Sequence, residues 1–336
     1  MTGPGAPKRP TLPPGLHDDL PGLAADLELV DDALRESVTT PDPFLAEVAA
    51  HLIGAGGKRL RPTLTLCAAY AATGDLASAG ADAVTGGVAC ELVHLGSLYH
   101  DDVIDEAETR RGVPSVNARW SNIVAILAGD FLLARASSLA ASLGADVAAL
   151  LAATIGELCR GQVLELQHMF DVDRSEDQYA SAIAGKTAAL FATSCRIGGM
   201  VTDMPDPTLD ALTSFGHHLG MCFQIVDDVL DLTSTDDALG KHAGQDLLEG
   251  IYTLPVIHTM REHPELRELL GQPLDDAQLE AARELTVANG AMDVAMDVAN
   301  DHAVKASEAL DGADDLDPAT TRTLISLVDG LVGRTY

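Results

Sequence analysis

Aromatic residues make up only 4% of this 336-residue chain. That is too few for the stacking platforms that single-stranded nucleic acid requires. Bases are scarce as well: 21 Lys and Arg against 51 Asp and Glu leave a formal net charge of −30. Such a chain is poorly suited to wrapping DNA or docking electrostatically on anionic lipid, so no nucleic-acid partner is expected. The five cysteines (Cys67, Cys90, Cys159, Cys195 and Cys222) are far apart and contain no CxxC pair. They form neither a disulfide framework nor a zinc motif, and suit reduced, buried thiols in a cytoplasmic protein. No run of about 18 uninterrupted apolar residues occurs, so stable membrane insertion is not expected. The opening MTGPGAPKRPTLPPGL also lacks the apolar core of a secretory signal.

Strand signals are missing too. Residues 1–22 open with five prolines and three glycines and read as a flexible tail. From about Leu23 the chain is rich in Ala, Leu, Glu and Arg with apolar residues recurring at three and four, most clearly over Asn122–Leu143 and Asp146–Met169. Breaks fall at Gly54–Pro62, Gly112–Pro114, Asp171–Ser175, Met204–Pro207 and Ser234–Gly244. The pattern predicts an all-α fold of about ten or more helices, with residues 23–336 as a single domain because no linker-like stretch divides them.

What the chain has in excess is acid, and two clusters stand out. Asp101-Asp102-Val103-Ile104-Asp105 and Asp227-Asp228-Val229-Leu230-Asp231 share the DDxxD spacing. On a helix the first and last acid of each lie one turn, about 6 Å, apart on one face. Each cluster follows a mainly apolar run, Leu95–Tyr99 and Met221–Val226. Several like charges beside an apolar helix repel each other unless a cation lies between them. Hard oxygen donors without Cys suit Mg²⁺, whose shell is usually completed by water and phosphate oxygens. One DDxxD among 51 acids means little, but two behind apolar helices are hard to obtain by accident.

The few bases sit in small islands. Lys58, Arg59 and Arg61 follow Gly56-Gly57; Arg110-Arg111 follows the first acidic cluster; Lys186-Thr187 follows Gly185; Lys241 follows Gly240. Glycine lets backbone approach an anion closely, and Arg and Lys bind phosphate as a fork and as a point charge. Acids to hold metal on one polyanion, and bases to hold another directly, are the inventory for diphosphate substrates.

Together these residues resemble the trans-isoprenyl diphosphate synthase family, in particular its long-chain (heptaprenyl, octaprenyl, nonaprenyl) type. The resemblance runs from about Phe44 to the C-terminus through GGKRLRP, ELVHLGSLYHDDVIDEAETRRG, GKTAALF, FQIVDDVLD and GKHAGQDLLEGIYTLP. It implies a single-domain isoprenoid synthase fold with helices around a central cavity, a homodimer, and Mg²⁺-dependent head-to-tail condensation of isopentenyl diphosphate onto an allylic diphosphate. By the same resemblance Asp101 and Asp105 hold two Mg²⁺ ions, supported by Asp102. Asp227 holds a third, backed by Asp228 and Asp231. Arg110, Lys186, Gln224 and Lys241 grip the allylic diphosphate, with Thr187 beside the reacting carbons. Lys58, Arg61, His94 and Arg111 bind isopentenyl diphosphate, and Arg59 belongs to the same loop. One position departs from the pattern: Ile251 stands where many members carry Lys.

Product length is read from the helix carrying Asp101. Ser97 and Gly96 lie about one turn deeper, where the family places bulky aromatics to stop growth, and nearby Val93 is not bulky either. The expected product has about six to ten isoprene units, as in a quinone side chain. A floor supplied from elsewhere, such as Phe131 or Met169, would give a geranylgeranyl product instead. Two rival classes fit the residues less well. A class I terpene cyclase would lack the second diphosphate site that GGKRLRP and Arg111 suggest. A di-iron carboxylate bundle would use Glu91/His94 and Glu165/His168, each an ExxH pair, but leaves both DDxxD clusters unexplained.

Overall fold

Helices dominate residues 16–233 and 244–332, which the computed structural model describes. Their starts follow the sequence's capping chemistry: Asp42, Ser115, Ser121, Ser175 and Asp275 each accept a backbone N–H from the first turn. In chain order they are α1 (Leu16–Asp19), α2 (Leu23–Ser37), α3 (Pro43–Gly54), α4 (Leu60–Thr73), α5 (Ala81–Ile104), α6 (Val116–Arg119), α7 (Asn122–Ser142), α8 (Ala145–Gln167) and α9 (Glu176–Ile183). A π-turn over Ala184–Ala188 leads into α10 (Ala189–Met200). Then come α11 (Asp206–Thr233), α12 (Gln245–Leu248), α13 (Leu254–Glu262), α14 (Pro264–Leu269), α15 (Asp276–Ala288), α16 (Ala291–Ala309) and α17 (Pro318–Val332). The all-α expectation holds. The sole sheet among the described residues is a two-stranded hairpin pairing Thr109 with Pro114 and Arg110 with Val113.

By its internal contacts the helical chain groups into two compact units. One comprises the described residues up to Ala153, Thr193–Thr213 and Gly312–Leu324; the other comprises Thr154–Ala192, Ser214–Asp311 and the described residues from Ile325. The borders pass through α8, α10, α11 and α17, so no Pro- or Gly-rich linker marks them. The tail is also shorter than expected: Leu16 and Leu20 are buried and join the core.

In the first unit α5 is the central helix. Val88, Leu92, Val93, Leu95 and Tyr99 are fully buried, and α2, α4 and α7 pack around it. A helix apolar on most sides belongs in such a position. The approach of α5 to α7 depends on glycine. A Cβ on Gly96 would lie 3.1 Å from the Gly129 carbonyl oxygen, and one on Gly129 would lie 2.4 Å from His100 Nε2. In the second unit the core gathers Tyr179, Met221, Ile225, Val229, Tyr252, Met260 and Met296 around the later part of α11.

The rule of uninterrupted apolar runs proves too strict. Helices α7 and α8 are long and apolar enough by length and composition to cross a membrane, and only 33% and 28% of their most apolar windows is buried. Both carry charge, Asp130 and Arg135 on one and Glu157, Arg160 and Glu165 on the other. Ile123, Leu127 and Val163 are exposed.

Candidate active site

In the first unit the acidic cluster lies at the C-terminal end of α5. Asp105 is the C-cap, and its N–H bonds to the Asp101 carbonyl at 2.8 Å. The one-turn spacing read from the sequence is therefore real. A helix C-terminus is the negative end of the macrodipole, where positive charge is favoured and carboxylates are not. Asp102 faces inward and is fully buried. Its Oδ1 accepts Arg110 Nε at 2.7 Å and Nη2 at 2.6 Å, while its Oδ2 is buried with no hydrogen-bond partner. Burial raises the Asp102 pKa, against the opposing pull of Arg110. Arg110 comes from the hairpin, whose turn residues Arg111 and Gly112 have φ of 55° and 75°, as a two-residue I′ turn demands. Asn117 Nδ2 ties this region together by donating to the Asp102 and Ala107 carbonyls, both at 3.0 Å.

The basic loop before α4 belongs to the same unit. Lys58 is exposed and Arg61 half-buried. Arg61 Nη1 lies 3.5 Å from His94 Nε2. The His94 pKa is driven well below that of free histidine by burial and then by Arg61, Arg111, Arg110 and Arg59 in turn. The positive potential of these arginines thus favours the neutral form of the imidazole. Arg111 Nη1 donates to the Gly56 carbonyl and, at 3.4 Å, to that of Leu52. Arg59 departs from the expectation of a substrate ligand: it turns inward, only 6% exposed, and donates to Asp31, Glu91 and two carbonyls. Of the chain-length positions, Gly96 differs. Gly96 packs on Gly129 and Leu133 of α7 rather than lining open space, because helix contact takes up its missing side chain. Val93 is buried, and half-buried Ser97 donates Oγ to the His94 carbonyl at 2.9 Å.

In the second unit the DDxxD cluster ends α11. Asp227 is exposed, while Asp228 and Asp231 are buried. Asp228 accepts Tyr179 Oη at 2.6 Å and Gln224 Nε2 at 2.8 Å. Gln224 Oε1 in turn accepts the Thr187 hydroxyl at 2.7 Å. Thr187, Gln224, Asp228 and Tyr179 thus form one hydrogen-bonded chain. Burial drives the Asp228 pKa upward, and the Tyr179 and Gln224 bonds hold it down. Asp231 Oδ2 lies 3.4 Å from the Asp246 N–H. Lys186 and Thr187 stand on the π-turn, a helical irregularity that recurs at functional sites. Lys186 Nζ donates to Glu165 of α8. Lys241 lies outside the described residues, and Ile251 is half-buried beside buried Tyr252.

Sequence reasoning missed Arg174. It is 3% exposed, donates Nη1 to the Tyr252 carbonyl at 3.0 Å, and has no hydrogen-bond partner for Nε or Nη2. Its Cζ lies 5.7 Å from the Tyr179 ring, next to the partner of Asp228. A lone Arg in a loop gave no motif by which to find it.

The ExxH glutamates are committed elsewhere, Glu91 to Arg59 and Glu165 to Lys186, and His168 bonds Asp171 at 2.9 Å. Both glutamates of the di-iron reading are thus engaged by cationic side chains. Among the described residues no three His, Cys, Asp or Glu converge to enclose an ion unaided. Carboxylates at helix C-termini fit a hard divalent ion whose remaining ligands are phosphate and water.

These features describe an all-helical protein with two aspartate-rich helix ends and an arginine-rich loop. The Polyprenyl synthetase family model matches residues 42–286, and the chain belongs to that family. It is 40% identical over 318 residues to nonaprenyl diphosphate synthase of Mycobacterium tuberculosis, covering 93% of this chain and 92% of that protein. It is 39% identical over 293 residues to heptaprenyl diphosphate synthase component 2 of Geobacillus stearothermophilus, covering 86% and 90%. The polyprenyl synthase of Caulobacter crescentus, solved with calcium and isoprenyl diphosphate, superposes with a TM-score of 0.88 at 32% identity, covering 97% of this chain and all of that one.

Proposed function

We propose that the protein joins isopentenyl diphosphate head to tail to an allylic diphosphate and makes a long all-trans polyprenyl diphosphate, with Mg²⁺ as the metal. One observation carries the reading. His94, set among arginines, and Asp101, of the metal-type pair, are seven residues apart on α5. Seven residues are two turns, so both lie on one helix face about 10 Å apart. A single rigid helix therefore presents a direct anion site and a metal-bridged anion site, as two diphosphates require.

Asp101 and Asp105 would hold Mg²⁺ ions and Asp227 a further one, with Asp228 and Asp231 behind it, three in all. The ions would supply charge neutralisation for the departing diphosphate. By the family resemblance, Arg110, Lys186 and Lys241 would add positive charge to that diphosphate. Thr187, bonded directly to Gln224, and Gln224, held in turn by Asp228, would present fixed dipoles to the allylic carbons and keep water from them. Lys58, Arg61, His94 and Arg111 hold isopentenyl diphosphate so that its double bond meets the allylic carbon. The proton then leaves to the released diphosphate, so no side-chain nucleophile is needed. The long product rests on Ser97 and Val93, which put no bulky ring below Asp101, and on relatives named as nonaprenyl and heptaprenyl synthases.

A homodimer is part of the proposal. The outer face of α7, with Ile123 72% and Leu127 60% exposed, offers apolar surface that a second copy would cover. The site of work is the cytoplasm, where the five free cysteines stay reduced. Labelled isopentenyl diphosphate with farnesyl diphosphate, with and without Mg²⁺, tests the whole. Metal-dependent chains beyond twenty carbons are expected. A twenty-carbon end product would refute the length, and no condensation would refute the activity.

A further inference from the structure

Arg59 is one of three bases in GGKRLRP, yet it alone points into the protein. It is 6% exposed, whereas Lys58 is exposed and Arg61 half-buried. Four of the five N–H donors of its guanidinium are engaged: Nε to Asp31 Oδ1 at 2.8 Å, Nη1 to Glu91 Oε1 at 3.1 Å and to the Gly56 carbonyl at 3.4 Å, and Nη2 to the Ile53 carbonyl at 3.2 Å. Its backbone lies in the left-handed region, φ 47° and ψ 37°, directly before α4. A residue with a side chain holds that conformation only where its surroundings fix it.

Glu91 is the other half of the arrangement. It is 1% exposed, and its Oε2 has no hydrogen-bond partner. Its charge therefore acts through space on Arg111 as well as directly on Arg59, and it supports the charged form of both. The loop carbonyl of Gly56 accepts from both arginines. Gly57 lies so close to Arg111 that a Cβ there would be 2.6 Å from Nη1. A buried ion pair contributes little net stability, and where retained it can serve to fix a conformation.

We propose that Arg59 is a positioning residue: anchored by Glu91 and Asp31, it turns the loop so that Lys58, Arg61 and Arg111 face the diphosphate of isopentenyl diphosphate, and it does not touch that diphosphate itself. This rests on reading the loop as the isopentenyl diphosphate site. Glu91, singled out in the sequence as half of an ExxH pair, has its role here.

The test is a double-mutant cycle with Arg59→Gln, Glu91→Gln and both together. KM values for isopentenyl and farnesyl diphosphate are measured separately, and binding of isopentenyl diphosphate alone is measured by calorimetry. Each single variant should weaken isopentenyl diphosphate about tenfold and leave the farnesyl diphosphate KM within about twofold, and the double variant should be no worse than the singles. If Arg59 were itself a ligand, Glu91→Gln would leave binding intact and the two changes would add; that outcome overturns the proposal. Equal rises in both KM values would show mere loosening of the fold and overturn it too. Should the Glu91 variant fail to fold, Asp31→Asn alters the half-exposed partner; a smaller rise confined to isopentenyl diphosphate is expected, and no rise refutes the anchor. Failure of the unaltered protein to bind isopentenyl diphosphate would sink the functional reading together with this inference.

Discussion

Carboxylates at the C-terminal end of a helix are doubly disfavoured, by each other and by the helix dipole, and Asp101 and Asp105 stand at such an end. In the proposed role of metal ligands they act electrostatically, so Asp101→Ala should lower kcat about a hundredfold or more without a comparable loss of melting temperature. Ser97→Phe should shorten the product while short primers still turn over, as product mass spectra would show. A third prediction concerns acid. His218 bonds His302 at 3.0 Å, and its pKa is pushed down to about 4 by burial and then by His217, His302 and Lys305. The unfolded chain takes up this proton near pH 6.5 and the folded chain only near 4, so stability rises with pH across that window. The melting temperature should fall on acidification from pH 7 to 4, and His218→Asn should flatten the fall. The aspartates and the basic islands were legible because each is a local string with its own spacing. The inward turn of Arg59 was not, since its partners Asp31 and Glu91 lie 28 and 32 residues away.

Periodicity revealed most helices: α7 and α8 begin and end within about two residues of the stretches read from the pattern. The π-turn at Ala184–Ala188 left no such trace, because one extra residue per turn does not disturb an apolar pattern this short. Its cause is tertiary. A Cβ on Gly161 of α8 would lie 2.2 Å from the Lys186 backbone nitrogen, and one on Gly185 would lie 2.8 Å from the Glu157 carbonyl oxygen. Gly161→Ala should therefore cost about 1–3 kcal/mol by calorimetry and reduce turnover further than that loss explains, since Lys186 and Thr187 must shift. Gly156, on the same helix with open space at its Cβ, is the control: Gly156→Ala should stabilise by about 0.5–1 kcal/mol.

At the scale of the molecule, fold class was legible and its partition was not. Compact units usually meet at linkers, whereas here the borders cross helix interiors, where composition does not change. The exposed row on α7 carries the dimer prediction: Ile123→Lys with Leu127→Lys should shift the species seen by sedimentation from two copies to one.

Four of the five thiols are buried, and burial raises the pKa of Cys67 to about 12 and of Cys90 and Cys222 to about 11; Cys159, on the outside of α8, is the exception. A maleimide dye should thus label the natural protein at one position without mutagenesis. That dye would sit two residues before the glycine that presses on the lysine-bearing turn, a built-in reporter for following substrate arrival by fluorescence.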